Sequence, residues 1–173
     1  MEDDIVTFDK LMQAIAMRES SMDPNKESPK GAVGLFGIMP GDAMVGLRRN
    51  VPTVWDAAAA EGFDPMSQTR ESAVALLKDP VVNRLISEAY VKELVSKYRG
   101  DTEAVLTAYN AGPGKYDRLG SAAAMVDHVE QQEYAQKVSK DYQNFFGSPL
   151  PDNLGILVSP RPKPRPRNLL EQP

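Results

Sequence analysis

Apolar residues recur at helical spacing along most of this chain, and the pattern predicts an all-α fold. The first apolar stripe consists of Phe8, Leu11, Met12 and Ile15. We predict that its helix starts at a Thr7 cap and ends within residues 20–22, since Pro24 forbids continuation. Polar residues, Gly and Pro dominate residues 23–37, which indicates an irregular loop with at most a short β-like pair.

Further helical segments follow this loop. Short helices are predicted over residues 43–48, 53–61 and 65–77. A long central helix is predicted from Pro80 to Tyr98. Its apolar stripe, which we interpret as core, consists of Val82, Leu85, Ile86, Ala89, Tyr90 and Leu94.

The C-terminal half continues the helical pattern. Asp101 or Thr102 caps the next helix, and Gly112 ends it. We predict a short turn over residues 115–119 and a connector over residues 120–124. A last apolar stripe consists of Tyr134, Val138, Tyr142, Phe145 and Phe146.

Glu19 lies on the apolar stripe of the first helix, four residues after Ile15. A carboxyl group buried among apolar residues has a raised pKa, because burial disfavours its charged form. A Glu that stays protonated near neutral pH is the general acid that glycoside cleavage requires. On helix geometry alone, the preferred interpretation of Glu19 is the last polar residue of a fraying helix end.

Composition narrows the function classes. The chain has 173 residues, 42 % hydrophobic and 25 % charged, which suits one soluble domain with its own core. It has no Cys, and its single His128 makes a His-based metal site or a Ser-His-Asp triad improbable, so we assign His128 no role. The net charge of −4 argues against nucleic-acid binding through bulk charge.

Three motifs occur in order along the chain. Glu19-Ser20 is followed by Ser28 and by G-A-V-G-L-F-G-I-M-P at residues 31–40. A-Y-N-A-G-P-G occupies residues 108–114, and E-Q-Q-E-Y occupies residues 130–134. Together with D-P-V-V-N at residues 79–83, they resemble the soluble lytic transglycosylases, lysozyme-like enzymes that cut peptidoglycan.

The resemblance implies the fold, the substrate and the chemistry. Glu19 would be the catalytic residue, Tyr134 its partner, and the loop after Glu19 the lining of a sugar-binding cleft. Substrate-binding positions implied in this way are Ser20, Ser28, Gly34, Leu35, Phe36, Met39, Tyr109, Asn110, Glu130 and Tyr134. The expected product is a 1,6-anhydro-muramoyl end, formed by one carboxyl group with no metal or other cofactor. Muramidase-type hydrolysis is the alternative reaction.

The chain departs from the family pattern at several positions, of which three concern polar or glycine residues. Gly37 replaces the Gln of the family's G-L-M-Q, Ser87 replaces a Gly, and Gln131 replaces a Thr. Loss of one cleft hydrogen bond at Gly37 is expected to cost about 0.5–1.5 kcal/mol, or about tenfold in binding or rate. The stretch between Pro40 and Asp79 also looks longer than the family norm, and we interpret it as an inserted helical element.

We predict a lysozyme-like domain over residues 1–150 and an extended tail over residues 151–173. The tail holds six of the 14 Pro and alternates Pro with Arg or Lys over residues 160–167. Such a segment favours polyproline II and builds no core, and its Ile156–Val158 stretch could anchor it on a larger assembly.

The acidic N-terminus lacks the pattern of a secretory signal, and no apolar run is long enough to span a bilayer. We therefore expect a phage virion protein that opens the host cell wall during genome ejection, with virion proteins as partners of the tail. Two alternatives stay open, a structural virion protein with little activity and an endolysin released by a holin.

Overall fold

The computed structural model describes residues 2–41, 59, 69–122, 124 and 129–155, with side chains from residue 8 onward. Within these residues the chain forms six α-helices and isolated β-bridges but no β-strand. The helices are α1 (Glu2–Ser20), α2 (Arg70–Leu77), α3 (Pro80–Lys97), α4 (Thr102–Ala111), α5 (Pro113–Leu119) and α6 (Val129–Phe146). The all-α prediction is therefore confirmed.

One main core joins α1, α3, α4 and α6, with α6 packed against both α1 and α4. The predicted stripe of α1 lies at its centre, since Leu11, Met12 and Ile15 are fully buried. A second cluster packs α2 and the start of α3 against the loop after α1. Its buried members are Val33, Leu76, Leu77, Val82 and Ile86.

Polar caps define the helix starts near the site. The Asp79 carboxylate accepts hydrogen bonds from the amides of Val81 (2.8 Å) and Val82 (2.9 Å), and Pro80 occupies the first position of α3. Asp101 caps α4 in the same way through the Ala104 amide, 2.8 Å away. These caps confirm the predicted starts of both helices.

Three local predictions were wrong. Helix α1 begins at Glu2 and not at Thr7, so the backbone at Thr7 is already helical and this residue does not cap the helix. Residues 115–119 belong to helix α5, which starts at Pro113 immediately after Gly112. Phe145 is 55 % exposed, because at the end of α6 the adjacent Phe146 packs on Tyr142 instead, with ring centroids 5.1 Å apart.

The described chain keeps contact with the helices beyond residue 150. The Leu154 amide donates to the Gly100 carbonyl at 2.7 Å, and the Thr102 amide donates to the Asp152 carbonyl at 3.2 Å. Leu154 itself is fully buried in the main core. The division at residue 150 stays a prediction, as does the extended form of the tail, because residues 156–173 lie outside the described part.

The helices predicted over residues 43–48 and 53–61, and most of the proposed insertion, also lie outside the described residues, as does His128. The prediction over residues 65–77 is confirmed where it is described, as α2. Among the described helices, none combines the length and the hydropathy that a membrane span needs.

Candidate active site

Glu19 occupies the last turn of α1, where the helix meets the following loop and the first turns of α6. Its Oε1 atom accepts a hydrogen bond from the Tyr134 hydroxyl at 2.5 Å. These two residues are 115 positions apart in sequence and meet because α1 and α6 pack side by side. The contact predicted between Glu19 and Tyr134 is thus present.

Burial raises the pKa of Glu19 above its ordinary value, and this is the largest influence on it. The Tyr134 hydrogen bond opposes the rise, because it stabilises the carboxylate form. The negative charge of Glu130 raises the pKa further, while Arg18 lowers it. The carboxyl group therefore keeps its proton to a higher pH than an exposed Glu does.

Tyr134 is one of three tyrosines whose rings are in contact. The rings of Tyr109 and Tyr134 are stacked with centroids 6.3 Å apart, and the centroids of Tyr90 and Tyr109 are 5.6 Å apart. Burial raises the pKa of both Tyr109 and Tyr134 well above the ordinary value, and the nearby Glu19 charge adds to it. Both phenols therefore remain protonated hydrogen-bond donors.

The loop after α1 is held from behind by one side chain of α3. The Asn83 Oδ1 atom accepts from the Phe36 amide (3.0 Å), and Nδ2 donates to the carbonyls of Val33 (3.0 Å) and Leu77 (2.8 Å). Asn83 is completely buried, so all three bonds are shielded from water. The sequence pattern placed Asn83 only at a helix start and did not predict that its side chain holds the loop.

Gly34 allows the loop after α1 to lie close to Asn83 and Leu77. A Cβ atom at position 34 would lie 2.2 Å from Asn83 Nδ2 and 2.3 Å from the Leu77 carbonyl oxygen. The residue also has a φ of +81°, which favours glycine. Gly34 was predicted to contact substrate, and the structure places it against the protein's own interior.

Phe36 and Leu35 also pack inward. Phe36 is buried in the main core, and its carbonyl accepts the Tyr109 hydroxyl hydrogen bond at 2.9 Å. Leu35 is half-buried against the same core. Of the predicted loop contacts, Met39 is the one large apolar side chain that stands open to solvent, at 41 % exposure.

The hydroxyl groups of Ser20 and Ser28 are hydrogen-bonded to backbone groups. The buried Ser20 hydroxyl donates to the Ala16 carbonyl at 3.0 Å, inside α1. The Ser28 hydroxyl accepts from the Ala32 amide at 3.0 Å and closes a turn of the loop. These bonds favour structural roles for both residues over the predicted contacts with a sugar.

Two other predicted contacts, Asn110 and Glu130, differ in their surroundings. The Asn110 Oδ1 atom is buried without a hydrogen-bond partner, and no hydrogen bond joins Asn110 to Glu19 among the described residues. Glu130 is exposed and forms a 3.4 Å ion pair with Lys30 of the loop. Such an exposed pair contributes little to stability. The negative charge of Glu130 nevertheless acts on Glu19, whose pKa it raises.

The two carboxylates of the loop after α1, Asp23 and Glu27, are bound to partners other than Glu19. Asp23 is exposed and accepts from the Asn25 amide at 2.9 Å, and Glu27 pairs with Lys78 at 2.7 Å. In the described part of the chain no three acidic or histidine residues come together as a metal site would require.

Sequence comparisons agree with this geometry. The family model of the transglycosylase SLT domain matches residues 8–131. The soluble lytic murein transglycosylase of Escherichia coli is 32 % identical over 118 residues, which cover 67 % of this chain and 16 % of that protein. The protein of the same name from Salmonella typhimurium is 32 % identical over 117 residues, with the same coverage. The chain therefore spans about a sixth of the length of these curated relatives.

Solved structures show the same fold. The crystal structure of the 70 kDa soluble lytic transglycosylase from Escherichia coli superposes with a TM-score of 0.62 at 27 % identity, covering 83 % of this chain and 23 % of that one. The X-ray structure of an inactive mutant of the lytic transglycosylase Slt from Pseudomonas aeruginosa gives a TM-score of 0.56 at 24 % identity with the same coverage, a likeness of fold alone.

Proposed function

This chain belongs to the transglycosylase SLT family, and from that premise we propose that it is a lytic transglycosylase that cuts the β-1,4 bond between MurNAc and GlcNAc in peptidoglycan. The observation that carries the proposal is the partly buried Glu19 carboxyl group, which accepts a hydrogen bond from the Tyr134 hydroxyl and whose pKa is raised by burial. It is the acid that a family member needs, at the position the family pattern gives.

Glu19 acts twice in the proposed reaction. It first protonates the glycosidic oxygen, so that the bond to the anomeric carbon breaks while the N-acetyl group of the muramic sugar assists at that carbon. The Glu19 carboxylate then removes the proton of the C6 hydroxyl, whose oxygen bonds to the anomeric carbon. Glu19 regains its proton, no water is consumed, and the products are a 1,6-anhydro end and a free GlcNAc hydroxyl.

The two oxygens of the Glu19 carboxyl group have different surroundings and therefore different roles. Oε1 is engaged by Tyr134, and Oε2 has no hydrogen-bond partner among the described residues. Oε2 is therefore the atom that exchanges the proton with the sugar, and Tyr134 holds the group in place and stabilises its carboxylate form between the two steps.

Digestion of purified sacculi tests the reaction. We expect muropeptides with anhydro-muramic ends, 18 Da lighter than hydrolysed fragments because the bond is broken without addition of water. Mass spectrometry of the released fragments reads this difference directly. Reducing muramic ends in their place would make the protein a hydrolase, and intact sacculi would contradict both assignments.

Tyr134→Phe is expected to lower kcat/KM by about tenfold to a hundredfold, because it removes a hydrogen bond to a charged group worth about 1.5–3 kcal/mol. It should also raise the pKa of Glu19, since the lost bond favours the carboxylate. The alkaline limb of the pH–rate profile then moves to higher pH. An unchanged profile would show that the Tyr134 bond does not act on the titrating group.

We further propose that the protein acts from a phage particle, with residues 156–173 of the Pro- and Arg-rich tail as its docking segment. The support is the composition of that segment, in which Pro alternates with Arg and Lys. Peptide mass spectrometry of purified particles tests the idea, and so does loss of incorporation when residues 156–173 are deleted. Finding the protein only in the lysate would favour the endolysin alternative, and incorporation without activity would favour a structural virion protein.

A further inference from the structure

Gly37 touches the Glu19 carboxyl group. Its φ of +61° lies in the left-handed region, at a turn closed by the Gly37 amide, which donates to the Gly34 carbonyl at 3.2 Å. A Cβ atom at position 37 would lie 2.7 Å from Glu19 Oε2, 3.3 Å from Cδ and 3.5 Å from Cβ. Real Cβ atoms do not approach other heavy atoms as closely as the first of these distances.

The loop cannot give way to such a contact. On one side of Gly37, the amide and carbonyl groups of Phe36 are held by Asn83 and Tyr109. On the other side, the amide and carbonyl groups of Ile38 are both bonded to Val33, at 3.0 and 2.9 Å. The movable partner is the end of the Glu19 side chain, which would have to rotate away from the loop.

We propose that Gly37 is a positioning residue for Glu19: its bare Cα lets the carboxyl group lie between the loop and Tyr134, with Oε1 on the phenol and Oε2 directed at the substrate. This inference rests on the proposed function for its catalytic consequence, although the contact itself does not. It also means that the Gln of the family pattern is not interchangeable with Gly37 in this chain.

Two replacements test the role. Gly37→Ala adds only the Cβ atom, and Gly37→Gln adds the side chain of the family pattern. Both are expected to lower kcat on sacculi by about tenfold to a hundredfold with little change in KM, since displacing a reacting group by about 1 Å has effects of that size. A gain of activity in Gly37→Gln would overturn the proposal.

Gly147→Ala is the matched control. Gly147 has a φ of +70°, close to that of Gly37, but nothing lies within 4 Å of the position of its Cβ. The two alanine variants therefore carry similar backbone strain, and only Gly37→Ala meets the carboxyl group. We expect similar falls in Tm and full activity in Gly147→Ala alone. Equal activities in the two variants would overturn the proposal.

A titration of the Glu19 side-chain carboxyl carbon by ¹³C NMR gives a readout independent of the substrate. The charged and titratable groups around Glu19 are Tyr134 and Glu130 on α6, Arg18 on α1 and Tyr109 on α4. Gly37→Ala leaves these groups in place and moves the Glu19 carboxyl group out of its partly buried position. Because burial is the largest influence on this group, its pKa should fall towards the ordinary value.

This shift is opposite in sign to the one expected for Tyr134→Phe, so the two variants cannot be explained by a common loosening of the site. A titration in Gly37→Ala identical to that of the unchanged protein would overturn the positioning role. A shifted titration in Gly37→Ala would uphold the contact between Gly37 and Glu19. If the unchanged protein nevertheless left sacculi intact, the proposed enzyme function alone would be contradicted.

Discussion

Glu19→Gln is expected to lower kcat/KM on sacculi by about 10³-fold or more, because an amide can neither protonate the glycosidic oxygen nor take a proton from the C6 hydroxyl. In the unchanged protein, burial raises the pKa of Glu19, so the acid form persists to higher pH than in an exposed Glu. Activity should fall as the pH rises through that raised pKa. Release of soluble muropeptides from purified sacculi, followed against pH, measures both effects.

The replacement should leave the fold intact. Gln has nearly the shape of Glu, and its side-chain oxygen can still accept the Tyr134 hydrogen bond. It also replaces an ionisable group in a partly buried position by a neutral one, so Tm should be unchanged or slightly raised. Retained turnover in Glu19→Gln would refute the assignment of the acid.

Glu133→Gln provides a matched control. Glu133 precedes Tyr134 on α6 and forms a 2.9 Å pair with Lys137, with both side chains 45 % exposed. The chemical change is the same as at Glu19, but this carboxylate lies outside the site. Activity within about twofold of the unchanged protein is expected, since exposed pairs of this kind contribute less than about 1 kcal/mol.

Local rules were enough to predict the part of the site that depends on one helix. The spacing from Phe8 to Ile15 defines the buried face of α1, and it placed Glu19 on that face before any contact was known. The stop at Gly112 was equally readable, because its φ of +86° is a conformation that glycine adopts most readily. Such signals lie within a few residues of the feature that they predict.

The contacts that complete the site are not local. Asn83 reaches residues 47 and 50 positions away, and Tyr134 reaches Glu19 across 115 positions, which the resemblance and not the spacing indicated. Asn83 did carry a usable signal: it falls in register with the buried Ile86 and Ser87, so a polar side chain had to lie on an interior face. Such a side chain needs buried partners, but their identity depends on the tertiary fold.

The contact between Gly37 and Glu19 could not be predicted from the family pattern. The family pattern presented it as a missing Gln and therefore as a lost hydrogen bond. Its contact with Glu19 follows from the left-handed turn and from the bonds that hold Phe36 and Ile38, none of which a pattern of residue types contains. Ser20, Ser28 and Gly34 were likewise matched by type, and the structure gives each of them backbone or packing roles.

Asn83→Leu is expected to produce the largest loss of stability. The replacement has similar volume but leaves the Phe36 amide and the Leu77 carbonyl without a buried partner, and the Val33 carbonyl keeps only its bond from the Ile38 amide. An unpaired buried group costs about 1–3 kcal/mol, so the free energy of unfolding should fall by about 3 kcal/mol or more. For a chain of this length that corresponds to a fall in Tm of about 6–12 °C, measurable by calorimetry.

Thr107→Val is the control for that measurement. Thr107 is also completely buried on a helix of the core, but its hydroxyl has no hydrogen-bond partner in the described part of the chain. Removing it leaves no group unpaired, so the free energy of unfolding should stay within about 1 kcal/mol of its original value or rise. Equal changes in the two variants would mean that the three Asn83 bonds do not stabilise the loop.

Asn83→Asp separates the acceptor of this side chain from its donors. The carboxylate can still accept from the Phe36 amide, but it faces two carbonyl oxygens to which it has no proton to donate. Burial and those oxygens disfavour the charged form, so the folded-state pKa of the new acid lies above its unfolded value. The stability deficit relative to the unchanged protein should therefore narrow as pH falls below that folded-state pKa, because the protonated acid donates to one carbonyl again. A deficit that does not change with pH would place the loss in packing instead of in the donated hydrogen bonds.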